Sequence, residues 1–414
     1  MLKPLQSKKL DALLATVSSR PFYAGRGCPD CLTPPLDRAF STLPFLTKEN
    51  LVDPSGVAAV FDLPADDYVR WHQTSGTTGR PMVVRDTADD WQWWMRCWDR
   101  ILDVAEVTDR DLALMAFSFG PFIGFWTAND ALVRRETGVI PTGGLPSRRR
   151  VELLMQQPVT VLCATPTYAL HLQSVARDMD VDLRRSQVRR IIVAGEPGGS
   201  IPEIRRRIES AFDATVIDHA GGSEIGAWGY GDPEGRGLHV IESEFIAEVV
   251  QFDGPSPKMI PRDNPDGLRG ELVLTGLGRL GGPVIRYRTG DVVRPAPSPL
   301  GCEDLFLDGG VIGRVDDMVV VRGVNVFPSS IEAVVRQVCG DSEYRVHQRA
   351  RGEMVELEIE LDDDPGGCRA LHERLQDALA LSIPVRPAAE QLASFEAKSR
   401  RWIHHHTPPR PDRR

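Results

Sequence analysis

From Pro158 onward the sequence alternates short β-branched runs with stretches of helical periodicity, and this alternation limits the fold more than any other feature. Residues 159–163 read as a strand, 168–179 as a helix, 190–193 as a strand, 202–212 as a helix and 215–217 as a strand. Strand, helix, strand, helix, strand predicts an α/β fold with a parallel sheet, whose ligands gather at the carboxyl ends of the strands. The second helix carries Pro202 in its first turn, Ser200 and Glu203 at capping-box spacing, and an apolar stripe of Ile204, Ile208, Ala211 and Phe212. Two loops leave strand ends: Ala194-Gly195-Glu196-Pro197 and Asp218-His219-Ala220-Gly221-Gly222-Ser223-Glu224.

The pattern changes near Gly313. Ser329 or Ser330 caps a helix through Val338, residues 355–361 alternate as a strand, and Leu371, Leu375 and Leu379 line a second helix. The chain is therefore expected to comprise a large N-terminal domain, residues 1–313, a small α+β domain, 314–403, and an unstructured His/Pro/Arg-rich tail, 404–414. With 58 acidic and 49 basic residues and no basic stripe with interleaved aromatics, small molecules are expected as partners rather than nucleic acid. No window approaches the roughly 18 apolar residues of a membrane span, and the N-terminus lacks a secretory stretch, so no membrane partner and a cytoplasmic setting are expected. Seven thinly spread cysteines point to reduced thiols; Cys28-Pro29-Asp30-Cys31 has half the spacing of a zinc site with no second half, and reads as a surface turn.

Thr74-Ser75-Gly76-Thr77-Thr78-Gly79-Arg80-Pro81 packs hydroxyls and glycines into a turn that can wrap a polyphosphate. The glycines admit close backbone approach and leave successive N–H groups aimed at one anion. Pro81 stops the turn from continuing as helix, and the Gly-Lys-Ser/Thr of a Walker loop is absent. Taken alone, such a run serves equally as a solvated linker. Further segments carry chemistry. Asp218 and Glu224 place carboxylates at both ends of a small-residue turn, and Asp291 follows a glycine in Arg286-Tyr287-Arg288-Thr289-Gly290-Asp291. Gly313-Arg314-Val315-Asp316-Asp317 lies at the domain junction, and Lys398 stands near the end of the small domain.

In order and wording these segments resemble phenylacetate-coenzyme A ligase and its relatives among the adenylate-forming enzymes, from about Pro21 to Arg401; Gly323-Val324-Asn325-Val326-Phe327-Pro328 is typical of this branch. The resemblance implies ATP-dependent adenylation of a carboxylic acid, with release of pyrophosphate and acyl transfer to coenzyme A. It assigns Thr74, Ser75, Gly76, Thr77, Thr78 and Gly79 to the ATP phosphates, Glu196 and Pro197 to the flanks of adenine, and Asp218 to its amine. Ser223 and Glu224 match the pair whose glutamate holds Mg²⁺, Asp291 the ribose-binding aspartate with Arg314 assisting, Asp316 the hinge of a mobile C-terminal domain, and Lys398 the adenylating lysine.

The chain departs from the family at Ala220, where a ring usually stacks on adenine, and at Gly222, which removes a side chain near the acid pocket. Phe117, Phe119, Phe122, Phe125 and Trp126 form an aromatic segment suited to an aryl acid, although each ring alone reads equally as core. Trp91, Trp94 and Trp98, behind a Thr87/Asp90 cap, read as a buried helix face. The residues leave other partners open: an amine, a carrier-protein thiol or nitrite in the reaction, a nucleotide- or acid-sensing descendant without catalysis, and a homodimer.

Overall fold

The computed structural model describes the chain apart from residues 1, 34–35, 53–55, 75–80, 118, 122, 125, 252–256, 322–323, 341, 352–353, 380, 391, 393–400 and 406–414. It divides into two compact units, 1–311 and 312–414.

Unit one is built on a nine-stranded sheet. Its parallel half runs Thr215–Gly222, Arg190–Val193, Val161–Ala164, Leu112–Met115, Gly138–Pro141, in spatial order. Apolar runs fill both faces of the sheet, in the expected strands and in Leu112–Met115, which the periodicity did not mark. Ala113, Met115, Val161, Cys163, Ile192 and Ile217 join one core, while Leu114, Leu162, Ala164, Ile191, Val193 and Val216 join another. A strand alternates its side chains, so an uninterrupted apolar run means that both faces are covered. Helices Ser147–Gln156, Pro166–Asp178 and Pro202–Phe212 contribute to the second core, and Ala88–Val104 and Trp126–Arg134 to the first.

Beyond Asp218 the sheet turns antiparallel. Thr215 to Asp218 pair in parallel with Arg190–Val193, whereas His219 to Gly222 pair antiparallel with Gly226–Gly231. The expected small-residue turn from 218 is thus a continuation of the strand, and only residues beyond Gly222 turn. Phe245–Val250, Gly270–Gly276 and Tyr287–Val293 form a separate antiparallel sheet.

Unit two packs helices Pro328–Cys339 and Pro365–Leu379 with a sheet ordered Val385–Pro387, Met354–Leu361, Tyr344–Arg351, Trp402–His405. His404 and His405 lie in the last strand, not in the tail. Two expected caps are absent. Helix Pro202–Phe212 starts from Ile201, because the Ser200 hydroxyl is spent on Asp218, and Pro328–Cys339 starts from Phe327, because Ser329 donates to the Ile312 carbonyl. The Thr87/Asp90 box forms as expected, with Trp91, Trp94 and Trp98 buried behind it. Among the described residues no helix is long and apolar enough to cross a membrane.

Candidate active site

Strand order reverses beside Leu112–Met115: the chain passes to Gly138–Pro141 on one side and then to Val161–Ala164 on the other. An open parallel sheet has its crevice at such a reversal. The segment leaving Met115 there is the aromatic one. Phe117 and Phe119 have ring centroids 5.4 Å apart, Phe119 and Trp126 meet edge to face at 4.6 Å, and all three rings are half-buried. Trp126 Nε1 donates to the Gly120 carbonyl at 3.0 Å. Phe122 and Phe125 lie outside the described residues.

The hydroxyl- and glycine-rich run joins the same place through its base. It connects the paired strands Arg70–Gln73 and Val83–Asp86, and the Gln73 N–H donates to the Pro121 carbonyl at 2.7 Å. Thr74 closes the base: its N–H donates to the Met82 carbonyl at 2.9 Å, and its hydroxyl accepts from the Met82 N–H at 3.0 Å. Ser75, Gly76, Thr77, Thr78 and Gly79 lie outside the described residues, as does Lys398.

Asp218 occupies the last parallel register position, opposite Val193. Its carboxylate is buried and accepts from the Ser200 hydroxyl at 2.6 Å and the His219 N–H at 3.0 Å. Burial pushes this carboxyl up to about 6 and holds the neighbouring His219 down at about 4. The neutral His219 ring donates from Nδ1 to the Gly229 carbonyl at 2.8 Å and packs on Trp98. The raised Asp218 value lies above the roughly 3.9 of an unfolded chain. The folded state therefore binds a proton that the unfolded state releases. This contribution to stability is fully present below about pH 4 and is lost as pH rises through about 6. Asp218→Asn should remove it, so that the wild-type advantage over the variant in urea unfolding shrinks across that window. An advantage that grows with pH would show Asp218 to be ionised and stabilised in the fold.

Glu196 turns its carboxylate to the start of helix Pro166–Asp178, accepting from the Thr167 N–H at 2.8 Å and hydroxyl at 2.5 Å. This uses the exposed donors of a helix N-terminus and ties the 194–197 loop to its neighbour. Pro197 stays exposed. Ala220 pairs with Gly229 and is half-buried, and a Cβ on Gly222 would meet the Ile225 side chain at 3.2 Å and Glu224 Oε2 at 3.6 Å.

The Ser223-Glu224 turn is fixed from beneath by Arg279, which no sequence motif marked. Its Nη1 donates to the Ser223 carbonyl at 2.7 Å and the Glu224 carbonyl at 3.1 Å. Lys48 Nζ lies 3.7 Å from Glu224 Oε1. Among the described residues no group of three His, Cys, Asp or Glu side chains could hold a metal, and Cys28 and Cys31 are free thiols. Among the described residues Glu224 is thus not part of a three-ligand protein cage. That suits Mg²⁺, which keeps waters and shares substrate phosphate oxygens instead of needing a protein cage.

Asp291 is presented by a bulge. Glu271 pairs with Val292 and Val273 with Arg288, so residues 289–291 together face Leu272. Gly290 adopts φ +76°, its N–H donating to Glu271 Oε1 at 3.1 Å, and the Asp291 N–H donates to the Thr289 hydroxyl at 3.0 Å. A side chain at 290 would strain this backbone. In unit two, Arg314 Nη2 lies 3.4 Å from Asp316 Oδ2, and the Asp317 N–H closes the turn onto the Arg314 carbonyl.

No family model matches the chain. It is 31% identical over 385 residues to a phenylacetate-coenzyme A ligase of Pseudomonas putida, covering 87% of this chain and 84% of that one. A phenylacetate-coenzyme A ligase of Escherichia coli K12 is 30% identical over 336 residues, covering 80% and 74%. Among solved structures, 2-hydroxyisobutyryl-CoA ligase in its postadenylation state with 2-HIB-AMP superposes with a TM-score of 0.85 at 26% identity, covering 98% of this chain and 90% of that one.

Proposed function

The chain belongs to the phenylacetate-coenzyme A ligase family of adenylate-forming enzymes, and from that premise we propose that the acid it activates is a small aryl carboxylate, with Mg²⁺ as the metal. The reaction class is ATP-dependent adenylation followed by transfer of the acyl group to coenzyme A. The observation that carries the aryl reading is the arc of half-buried rings, Phe117, Phe119 and Trp126, at the reversal of strand order. Rings set edge to face offer an aromatic guest both edges and faces to pack on.

A carboxylate attacking the α-phosphorus brings two anions together, so the barrier is chiefly one of position and charge. In this reading the N–H groups and hydroxyls of the 74–79 run grip the terminal phosphates, Asp218 orients adenine, and Asp291 with Arg314 orients the ribose. Glu224 would hold Mg²⁺, which supplies charge neutralisation when bound. Lys48 Nζ, 3.7 Å from Glu224 Oε1, adds positive charge beside this carboxylate. Lys398 approaches the reacting carboxylate, and turning of the second unit at Asp316 withdraws it before the thiol attacks. Seven unpaired thiols accord with a cytoplasmic setting.

Pyrophosphate exchange into ATP across a panel of acids tests the substrate class. Aryl carboxylates should support exchange and, with coenzyme A added, yield the thioester. Exchange driven by short aliphatic acids or by nitrite, and by no aryl acid, would overturn it.

A further inference from the structure

Arg279 is buried, with 1% of its surface exposed, in a stretch that no motif covers. Its Nε donates to Asp86 Oδ1 at 2.8 Å, a carboxylate with no exposed surface that also accepts from Trp94 Nε1 at 3.0 Å. Nη1 serves the two carbonyls of the Ser223-Glu224 turn, and Nη2 reaches the Arg85 carbonyl at 3.4 Å. The guanidinium also lies over the Phe61 and Trp94 rings, at 5.2 and 5.4 Å. The backbone around it is pressed close: a Cβ on Gly281 would fall 2.1 Å from Asp90 Oδ2.

Asp86 closes the strand Val83–Asp86 that returns from the hydroxyl- and glycine-rich run. One guanidinium therefore joins the hairpin bearing that run to the turn bearing Glu224. Burying such an ion pair costs heavily in desolvation, and an apolar pair of similar shape would often hold the fold as well. An apolar pair could not fix two carbonyls of a neighbouring turn, whereas the planar fork of arginine can.

We infer that Arg279 is a positioning residue: it sets the turn bearing Glu224 relative to the strand Val83–Asp86, so that the affinity for metal-bound nucleotide depends on it. This rests on the reading of Glu224 as the metal-holding carboxylate. Groups that orient a metal ligand from behind are typically worth about 10- to 100-fold in metal affinity.

The test is calorimetric binding of ATP to the full chain with Mn²⁺ and, separately, in excess chelator, alongside thermal unfolding. Arg279→Lys, which keeps the charge and loses the fork, should weaken Mn²⁺·ATP binding by about tenfold or more while metal-free ATP binding stays as in wild type. Asp86→Asn, which keeps the shape and removes the charge that holds the guanidinium, should do the same and serves if Arg279→Lys does not fold. Either variant binding Mn²⁺·ATP as wild type does, with only its melting temperature lowered, overturns the inference. Glu224→Gln separates the two readings. If it loses the metal-dependent gain in affinity while both other variants keep it, the role of Arg279 alone fails; if it retains the gain, the Glu224 reading and this inference fail together.

Discussion

Replacing Lys398 by alanine is expected to lower acid-dependent pyrophosphate exchange by about 10²- to 10³-fold, the loss typical of one preorganised charge at a developing anion. Acyl-adenylate supplied ready-made should still react with coenzyme A at near the wild-type rate. The two measurements would split because, in the proposed role, the lysine meets charge that develops only as the carboxylate attacks phosphorus; a thiolate attacking the finished anhydride does not need it. Lys398 lies outside the described residues, but the chain on either side of it is held firmly. Leu392 is buried before it. After it, Arg401 pairs with Glu332 at 2.8 Å and Glu343 at 3.3 Å, and Trp402–His405 then adds in parallel to Tyr344–Arg351. Exchange at near the wild-type rate in the alanine variant would remove Lys398 from the reaction.

The strands and helices between residues 159 and 217 were legible because their signal is local. Arg190–Val193 and Pro202–Phe212 fall where β-branching and the apolar stripe place them. Long-range pairing was not legible. Ser200 and Glu203 satisfy the spacing rule for a cap, yet a buried carboxylate at 218 competes for the same hydroxyl and wins, since an unpaired buried acceptor costs more than a missing cap. Asp218 to Gly222 look like a turn because glycines favour turns; in the fold their lack of side chains lets the strand continue against Gly226–Gly231, with a bulge at Ala220 and Gly221. Strand order itself leaves no local mark, so the crevice beside the aromatic segment emerges only from the sheet. Arg279 escaped notice for the same reason: Asp86, Ser223 and Glu224 are all distant from it in sequence.

Removing the Glu248 carboxylate should cost about 3–5 kcal/mol of unfolding free energy, the usual result of stranding one member of a buried ion pair. Its partner, Arg286, is 4% exposed and takes a left-handed backbone, φ +50°, at the entrance to the strand that bears Asp291. The pairing is two-pronged, Nε to Glu248 Oε2 at 2.9 Å and Nη2 to Oε1 at 2.8 Å, while Nη1 donates to the Ser41 and Leu43 carbonyls at 2.6 and 2.5 Å. The Leu46 N–H donates to the Arg286 carbonyl, so the 41–46 segment is held to this strand from both sides of the residue. In Glu248→Ala the guanidinium keeps its carbonyl partners but loses the charge that offsets its burial. Urea unfolding followed by tryptophan fluorescence should show the midpoint falling with little change in slope. A double-mutant cycle with Arg286→Ala then separates the pair's coupling from the cost of the stranded charge. If the double variant is more stable than Glu248→Ala alone, the stranded charge is the dominant cost; if it is less stable, the carbonyl bonds from Arg286 outweigh it, and the arginine holds the 41–46 segment even without its carboxylate.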